Sequence, residues 1–326
     1  MQPTSPDAAT PRSRVTALFS RLWAASAPLT AVGLLMLAVA IPSAIGTFVD
    51  DRVITGAPAW LKPFKFAIST AIYSLTLAWI FTWLTTWPRM RRVVGWTTAI
   101  VFVLEVAIID LQAWRGTTSH FNATTPFNRT LFFVMGTAII IQTFVSVWAA
   151  VALWKQRFND RALGWALRFG MILTIAGALT GPLMTRPTGA QLARMRAGEG
   201  MTIVGAHTVG GDDGGPGVPV TGWSREHGDV RVPHFIGLHA IQVLAVLAIV
   251  LRRWRRADSD RVRLVWMAAA SYATLFALLL WEALRGQSVV APDATALTTL
   301  AIWAGLTALG VGWAGIRARS HTRITA

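Results

Sequence analysis

Five histidines and three isolated carboxylates are the groups in this 326-residue chain with the most chemistry to offer. His120, His207, His227, His234 and His239 fall at the ends of apolar runs or between them, while His321 in the C-terminal tail reads as a solvated residue. Imidazole ligates metals and haem and carries protons near neutral pH. His234 and His239 are five residues apart, which on a regular helix turns their side chains roughly 140° from one another. One of the two is therefore expected to cap or pack, and His239, a turn deeper, to face an interior site. Glu105 lies near the middle of an apolar run, with Asp110 and Gln112 farther along it and Glu282 near the end of another. Ionisable groups at such places are costly and point to function. Arg115 and Arg285 stand close enough in sequence to pair with Asp110 and Glu282 at helix ends. Glu105 is about 15 Å along a helix from Arg115, so it needs a partner on another helix.

The candidate catalytic groups are thus Glu105 and Glu282, and the candidate ligand- or cofactor-binding residues are His120, His234, His239, Arg115 and Arg285. Two polar stretches add to them. "RGTTSHFNATTPFN" brings Ser119, His120 and Asn122 together, and "GAHTVGGDDGGPG" offers His207, Asp212 and Asp213 as metal ligands. The second stretch reads as a flexible exposed loop, or alternatively as a lid or metal clasp. No HExxH, Walker loop or GxSxG occurs, which removes the main signals of zinc proteases, P-loop NTPases and serine hydrolases. Without cysteine there are no disulfides, thiolate metal sites or cysteine nucleophiles.

The elements that must hold these groups are membrane helices. Only 14% of residues are charged and 54% are hydrophobic, against about 25% charged in soluble domains. Runs of the roughly 20 apolar residues that cross a bilayer lie near 27–48, 66–87, 93–114, 130–154, 162–183, 233–251, 264–284 and 294–316. Trp60, Trp87, Trp114, Trp154 and Trp254 sit at run ends, at the headgroup level that suits an indole. The fold expected is all-α, a polytopic membrane protein of eight transmembrane helices. Residues 1–26 are polar and basic and precede a first helix read as retained. The net charge of +15 sits in short loops between apolar runs, which speaks for membrane orientation and against nucleic acid as a partner. The N-terminal segment, 88–92, 155–168, 252–263 and the tail 317–326 hold 19 of the 30 Lys and Arg residues. That side is expected to be cytoplasmic, with both termini there, in the inner membrane of a bacterium. Loops 115–129 and 184–232 then lie outside.

The chain also repeats itself. "KPFKFAIS" aligns with "VPHFIGLH" and "QAWRGTTS" with "EALRGQSV", placing Pro63 on Pro233, Trp96 on Trp266 and Arg115-Gly116 on Arg285-Gly286 at one offset of 170. Residues 27–154 and 155–316 therefore read as two parallel four-helix repeats, the second carrying a longer outer loop at 184–232. Parallel repeats are related by an axis along the membrane normal.

"WLKPFKFAIS", "QAWRGTTSHFNATTPF" and "VPHFIGLHAIQ" resemble an uncharacterised family of bacterial polytopic membrane proteins, which brings no assigned activity. A looser, architectural resemblance is to haem A synthases, also eight helices in two four-helix units. That resemblance implies histidine-ligated haem in the outer half of the bundle. Here only the sixth helix has matching residues, His234 and His239. Ser69 stands opposite His239, and the eighth helix has no histidine. Three functions remain open. One is a cofactor-binding or oxidoreductase-like protein with a His/Glu site at the outer face, taking haem or a divalent metal. Another is a permease for a small solute. The third is a non-catalytic sensor or assembly protein. Glycines and prolines gather at helix ends, so no broken mid-membrane helix is expected, which counts modestly against transport.

Overall fold

Helix starts are set locally. Thr125 accepts the backbone N–H of Asn128 and Asp160 that of Leu163, while Pro88 and Pro126 occupy first-turn positions, where a missing N–H costs nothing. The computed structural model describes residues 11–253 and 257–324, with side chains for 14–253 and 257–314. The side chains of Arg12, Trp254, Arg255, Arg256, Arg317, Arg319, His321 and Arg323 lie outside the described residues.

The chain order is α1 (Pro11–Ala25), α2 (Ala27–Val49), β1 (Val53–Ile54), β2 (Ala57–Pro58), α3 (Leu61–Phe81), α4 (Pro88–Trp114), α5 (Pro126–Lys155), α6 (Arg161–Ala178), α7 (Gly181–Met184), α8 (Gly189–Arg196), β3 (Thr208–Val209), β4 (Gly228–Asp229), α9 (Arg231–Leu238), α10 (Ala240–Arg253), α11 (Asp258–Leu284) and α12 (Ala294–Ile324). The strands make two short antiparallel hairpin ladders; the rest of the architecture is helical, as expected of an all-α membrane protein. Among the described residues, seven helices are long and apolar enough to cross a membrane, and the bent pair α9–α10 makes an eighth if it is one span. The segment before the first span is itself helical, α1, and packs on α2 and α3.

Each half of the chain packs mainly within itself. Helix α2 packs on α3 and α4, and α4 on α5; α6 packs on α9, α10 and α11, and α11 on α12. The ends of α4 and α11 are built alike. Arg115 and Arg285 both close their helices in the αR region, and Gly116 and Gly286 follow at φ +70 and +77. The N–H groups of Thr117 and Gln287 then reach back to the carbonyls of Gln112 and Glu282, the Schellman closure that favours glycine.

One end of the bundle, the basic end, holds the connections near 82–87 and 156–160, the C-terminus of α10 at Arg253 and the start of α11 at Asp258. The largest apolar cluster fills that half and includes Leu77, Phe81, Leu84, Leu153, Leu167, Met171 and Leu244. Arg168 donates to the carbonyls of Leu153 at 3.1 Å and Gln156 at 2.7 Å, closing the C-terminus of α5. The other end is covered by residues 185–230. This lid is not a flexible exposed loop. Its backbone bonds to the 121–123 segment (Ala123 N–H to Thr202 O, Val204 N–H to Phe121 O) and to Met184 through Ala206 N–H. Gly228 packs so closely on Ala283 that a Cβ would lie 2.0 Å from its carbonyl oxygen. A segment hydrogen-bonded at this many points cannot move freely.

The segment read from sequence as an unbroken sixth span is broken, contrary to the expectation of glycines and prolines confined to helix ends. Helix α9 stops at Leu238, His239 adopts φ −92 and ψ 2, and α10 leaves at a bend of 42°. The cause lies on its neighbours. Gly177 of α6 and Gly237 of α9 meet backbone to backbone, a Cβ on Gly237 falling 2.4 Å from the Gly177 Cα. The break frees carbonyls, and hydroxyls take them: Tyr272 donates to Ile236 O at 2.6 Å and Thr174 to Leu238 O at 3.3 Å. Buried backbone groups inside a membrane must be satisfied in this way.

Candidate functional site

Helix α3 presents Lys62, Phe66, Ser69 and Tyr73 at helical spacing, one above the other. Each meets a polar or aromatic group of another element. Lys62 Nζ lies 3.1 Å from His120 Nδ1, and the His120 ring packs on Phe66 at 5.8 Å between centroids. Ser69 Oγ lies 3.4 Å from His239 Nε2, at the break of the sixth span. Tyr73 Oη lies 3.3 Å from Ser146 Oγ, which also accepts from Gln142. A polar track thus descends from the lid end to the apolar cluster of the basic half and stops there.

His120 comes from the loop after α4, and Ser119 Oγ also approaches its Nδ1, at 3.0 Å. An ammonium group only donates, so Nδ1 accepts and the proton of the neutral ring sits on Nε2. Burial, reinforced by the Lys62 charge, holds this imidazole well below its ordinary pKa. The lid supplies His207, whose ring packs on Phe121 at 4.8 Å, the same phenylalanine that packs on His120 at 6.1 Å. His207 Nδ1 lies 2.6 Å from Asp213. Burial raises the Asp213 pKa, but hydrogen bonds from His207 and Thr208 outweigh it and hold the carboxyl below its usual range. Burial lowers that of His207 in spite of Asp213. A neutral ring therefore donates its Nδ1–H to the carboxylate and leaves Nε2 as an acceptor. His234 is anchored in the same sense, its Nδ1 2.8 Å from Gly177 O and 3.1 Å from Thr180 Oγ.

Of the residues named from sequence, His120, His234, His239 and His207 with Asp213 gather at the lid end around α3 and α9. Glu105 is 2% exposed, one of its oxygens has no hydrogen-bond partner, and its electrostatic partner is Lys62, which the sequence did not single out. Asp212 takes no part in the His207–Asp213 pair, and among the described residues no three His, Asp or Glu side chains form a metal-holding group. His227 makes its hydrogen bond through its backbone, to Ser224.

The expected ion pairs of Asp110 with Arg115 and Glu282 with Arg285 do not form. Five residues separate Asp110 from Arg115, which places them on different helix faces. Arg115 instead donates to Gln112, three residues back, and to Asn128, and stacks on Phe127. Arg285 lies over Trp281 and pairs with Asp293 at 2.8 Å. Both arginines thus tie helix ends to the next helix. Asp110 and Glu282 each keep an unpartnered oxygen. Glu282 lines a crevice with Asp229, Val232 and Gln287 that has no room for a water molecule.

The site does not fit bis-histidine haem. His239 faces Ser69 where a second imidazole is needed. The chain matches no protein-family model, no curated protein and no solved structure. The geometry alone carries the functional argument.

Proposed function

We propose that this chain is a permease of the bacterial inner membrane, with both termini cytoplasmic, that takes a small solute into the outer half of the bundle. The observation that carries this reading is the break of the sixth span at His239. Discontinuous helices at the interface of two repeats form the substrate sites of many secondary transporters. Irregular backbone at that depth is tolerated only where protein or a cavity surrounds it. Ser69 and His239 are repeat equivalents, 170 residues apart, and they touch. Equivalent positions meet when they lie beside a two-fold axis, which supports two parallel four-helix repeats, as do the matched closures at Gly116 and Gly286. In this reading the lid end is outside and the apolar cluster around Phe81 and Leu167 is the closed cytoplasmic gate. Glu105, below Lys62, serves as the coupling carboxylate.

The test is flux. Proteoliposomes on a solid-supported membrane are challenged with concentration jumps of small organic acids, amino acids and sugars. Wild type is expected to give a saturable charge or pH transient for one of these classes, and His239→Ala to lose most of it while inserting normally. Transients identical in the variant and in wild type sink the proposal.

A second reading, an outer-face cofactor-binding or oxidoreductase-like protein, draws on the His207–Asp213 pair. A carboxylate on Nδ1 is the usual support of a histidine that ligates through Nε2. A visible absorption band or stoichiometric metal in the purified protein favours it, and a colourless, metal-free protein favours transport.

Topology is tested separately on this cysteine-free chain. Cysteines at the exposed positions Arg89 and Arg157 should label only from the cytoplasm, and one at Glu199 only from outside. Labelling of position 199 from the cytoplasm alone inverts the orientation.

A further inference from the structure

Three cations stand at the lid end of the track with too few anions to match them. Lys62 is in the first turn of α3 and Lys65 begins the second, and Arg231 opens α9 at the repeat-equivalent of Leu61. Neither helix has an acidic residue in its first turn. A helix N-terminus carries the positive end of its dipole, so lysines are unfavourable there. Arg231 pairs with buried Asp229 at 2.5 Å, and its charge still acts on both lysines. Among the described residues Lys62 and Lys65 have no carboxylate within ion-pair distance. The three cations also repel one another, and the opposing attractions of Glu105 and Asp213 on Lys62, and of Asp229 on Lys65, act without contact.

The two lysines are used differently. Lys65 donates to Thr221 O at 2.8 Å, and Arg231 donates to Gly222 O at 2.6 Å. A Cβ on Gly222 would lie 3.8 Å from Lys65 Nζ and 3.9 Å from Arg231 Nη1. These two cations therefore pin the lid. Lys62 makes one hydrogen bond, to the neutral His120 ring at 3.1 Å, and otherwise faces only the Phe66 ring at 5.9 Å from its centroid, which leaves two ammonium N–H groups without a hydrogen-bond acceptor. The side chain is half-buried, and burying an ammonium without a counterion is expensive. An arriving anion removes that cost.

We infer that the ligand is a small oxyanion, a carboxylate or a phosphate, seated at the outer ends of α3 and α9 with Lys62 as its principal charge partner. The inference names the substrate class for the proposed permease and rests on that reading only for the transport step. Lys65 and Arg231 complete the positive field and hold the lid that covers the anion. Their like charge also excludes cationic solutes from the mouth.

The test uses full-length protein in detergent, stripped of lipid. Sodium acetate, phosphate and sulfate are compared at fixed ionic strength with choline chloride and glycerol, following unfolding temperature and heat of binding. One or more oxyanions should stabilise the protein. Affinity should fall at least ~10-fold in Lys62→Gln, the loss of one charged hydrogen bond, stay partly intact in Lys62→Arg, and be unchanged in Lys155→Gln at the opposite end. If Lys62→Gln does not accumulate as folded protein, Lys62→Met and Lys62→Arg are compared in its place. Stabilisation by choline but by no oxyanion overturns the inference, as does equal oxyanion affinity in the folded Lys62 variants. Nanodiscs separate the sources of the anion. Competition by phosphatidylglycerol against the soluble probe assigns a lipid headgroup, and equal binding in phosphatidylglycerol and phosphatidylcholine assigns a free anion. Oxyanion binding without flux keeps this inference and removes the permease. Flux of a neutral solute, abolished in His239→Ala, with no oxyanion binding does the reverse.

Discussion

Replacing Gly177 by valine should destroy the native packing of the second four helices. A Cβ at this position would lie 2.6 Å from the carbonyl carbon of Gly237 and from the nitrogen of Leu238. Both are backbone atoms, so no side-chain rotation relieves the clash and α6 must part from α9. Overpacking of this kind costs about 1–3 kcal/mol by itself. Separation also breaks the hydrogen bonds of His234 to Gly177 O and of Thr174 to Leu238 O. Each is worth about 1 kcal/mol, more if the buried group stays unpaired. The total expected loss is about 4 kcal/mol, enough to remove most folded protein from a detergent extract. Gly136→Ala is the matched control, because nothing lies within 4 Å of its added Cβ. Size-exclusion profiles and unfolding temperatures of the two variants settle the matter, and a Gly177→Val protein as stable as wild type refutes the backbone crossing.

Asp229→Asn should loosen the lid without unfolding the bundle. The Asp229 side chain is 2% exposed and accepts from Ser224 N–H at 2.8 Å, Arg231 N–H at 2.9 Å and the Arg231 guanidinium. An amide keeps the volume and loses the charge, leaving Arg231 beside Lys65 with nothing to offset either. Removing one partner of a buried pair costs about 3 kcal/mol or more; the solvent reaching Arg231, whose side chain is 29% exposed, puts this case at about 2–3 kcal/mol. That energy should be lost locally, in the lid segment 217–230. Hydrogen exchange there should quicken by about 30-fold or more, 2 kcal/mol being a factor of this size, and proteolysis of the lid should follow. Exchange that quickens equally in the helices of the basic half would mean that Asp229 supports the whole bundle. Unchanged protection of the lid would mean that it supports neither.

The sequence by itself determined that the protein is helical and membrane-spanning and located its apolar runs, although the run read at 66–87 is the helix Leu61–Phe81. Hydrocarbon thickness fixes the length of an apolar run, and the run is a local property, readable at 93–114 or 264–284 without knowing any neighbour. It also marked His120, His207, His234, His239 and Glu105 as groups out of place in an apolar chain. Spacing on a single helix could go no further. The break at His239 forms where Gly177 on α6 meets Gly237, and its freed carbonyls are taken by Thr174 on α6 and Tyr272 on α11; these three partners are 62, 65 and 33 positions from His239 in sequence. The 233–251 run, read in isolation, describes an unbroken helix. Arg115 and Arg285 had two or more acceptors within reach in sequence, and helix phase and the next helix chose among them. The lid looked flexible because glycine-rich segments lack local order, and its order comes from backbone bonds to segments 60 or more residues distant, such as Ala123 to Thr202. Lys62 passed unnoticed because a lysine at a helix end is ordinary in a membrane protein. Only the fold shows that its neighbours are His120, Lys65 and Arg231 and that no carboxylate meets it, because charge balance in a site is a sum over elements brought together from the whole chain.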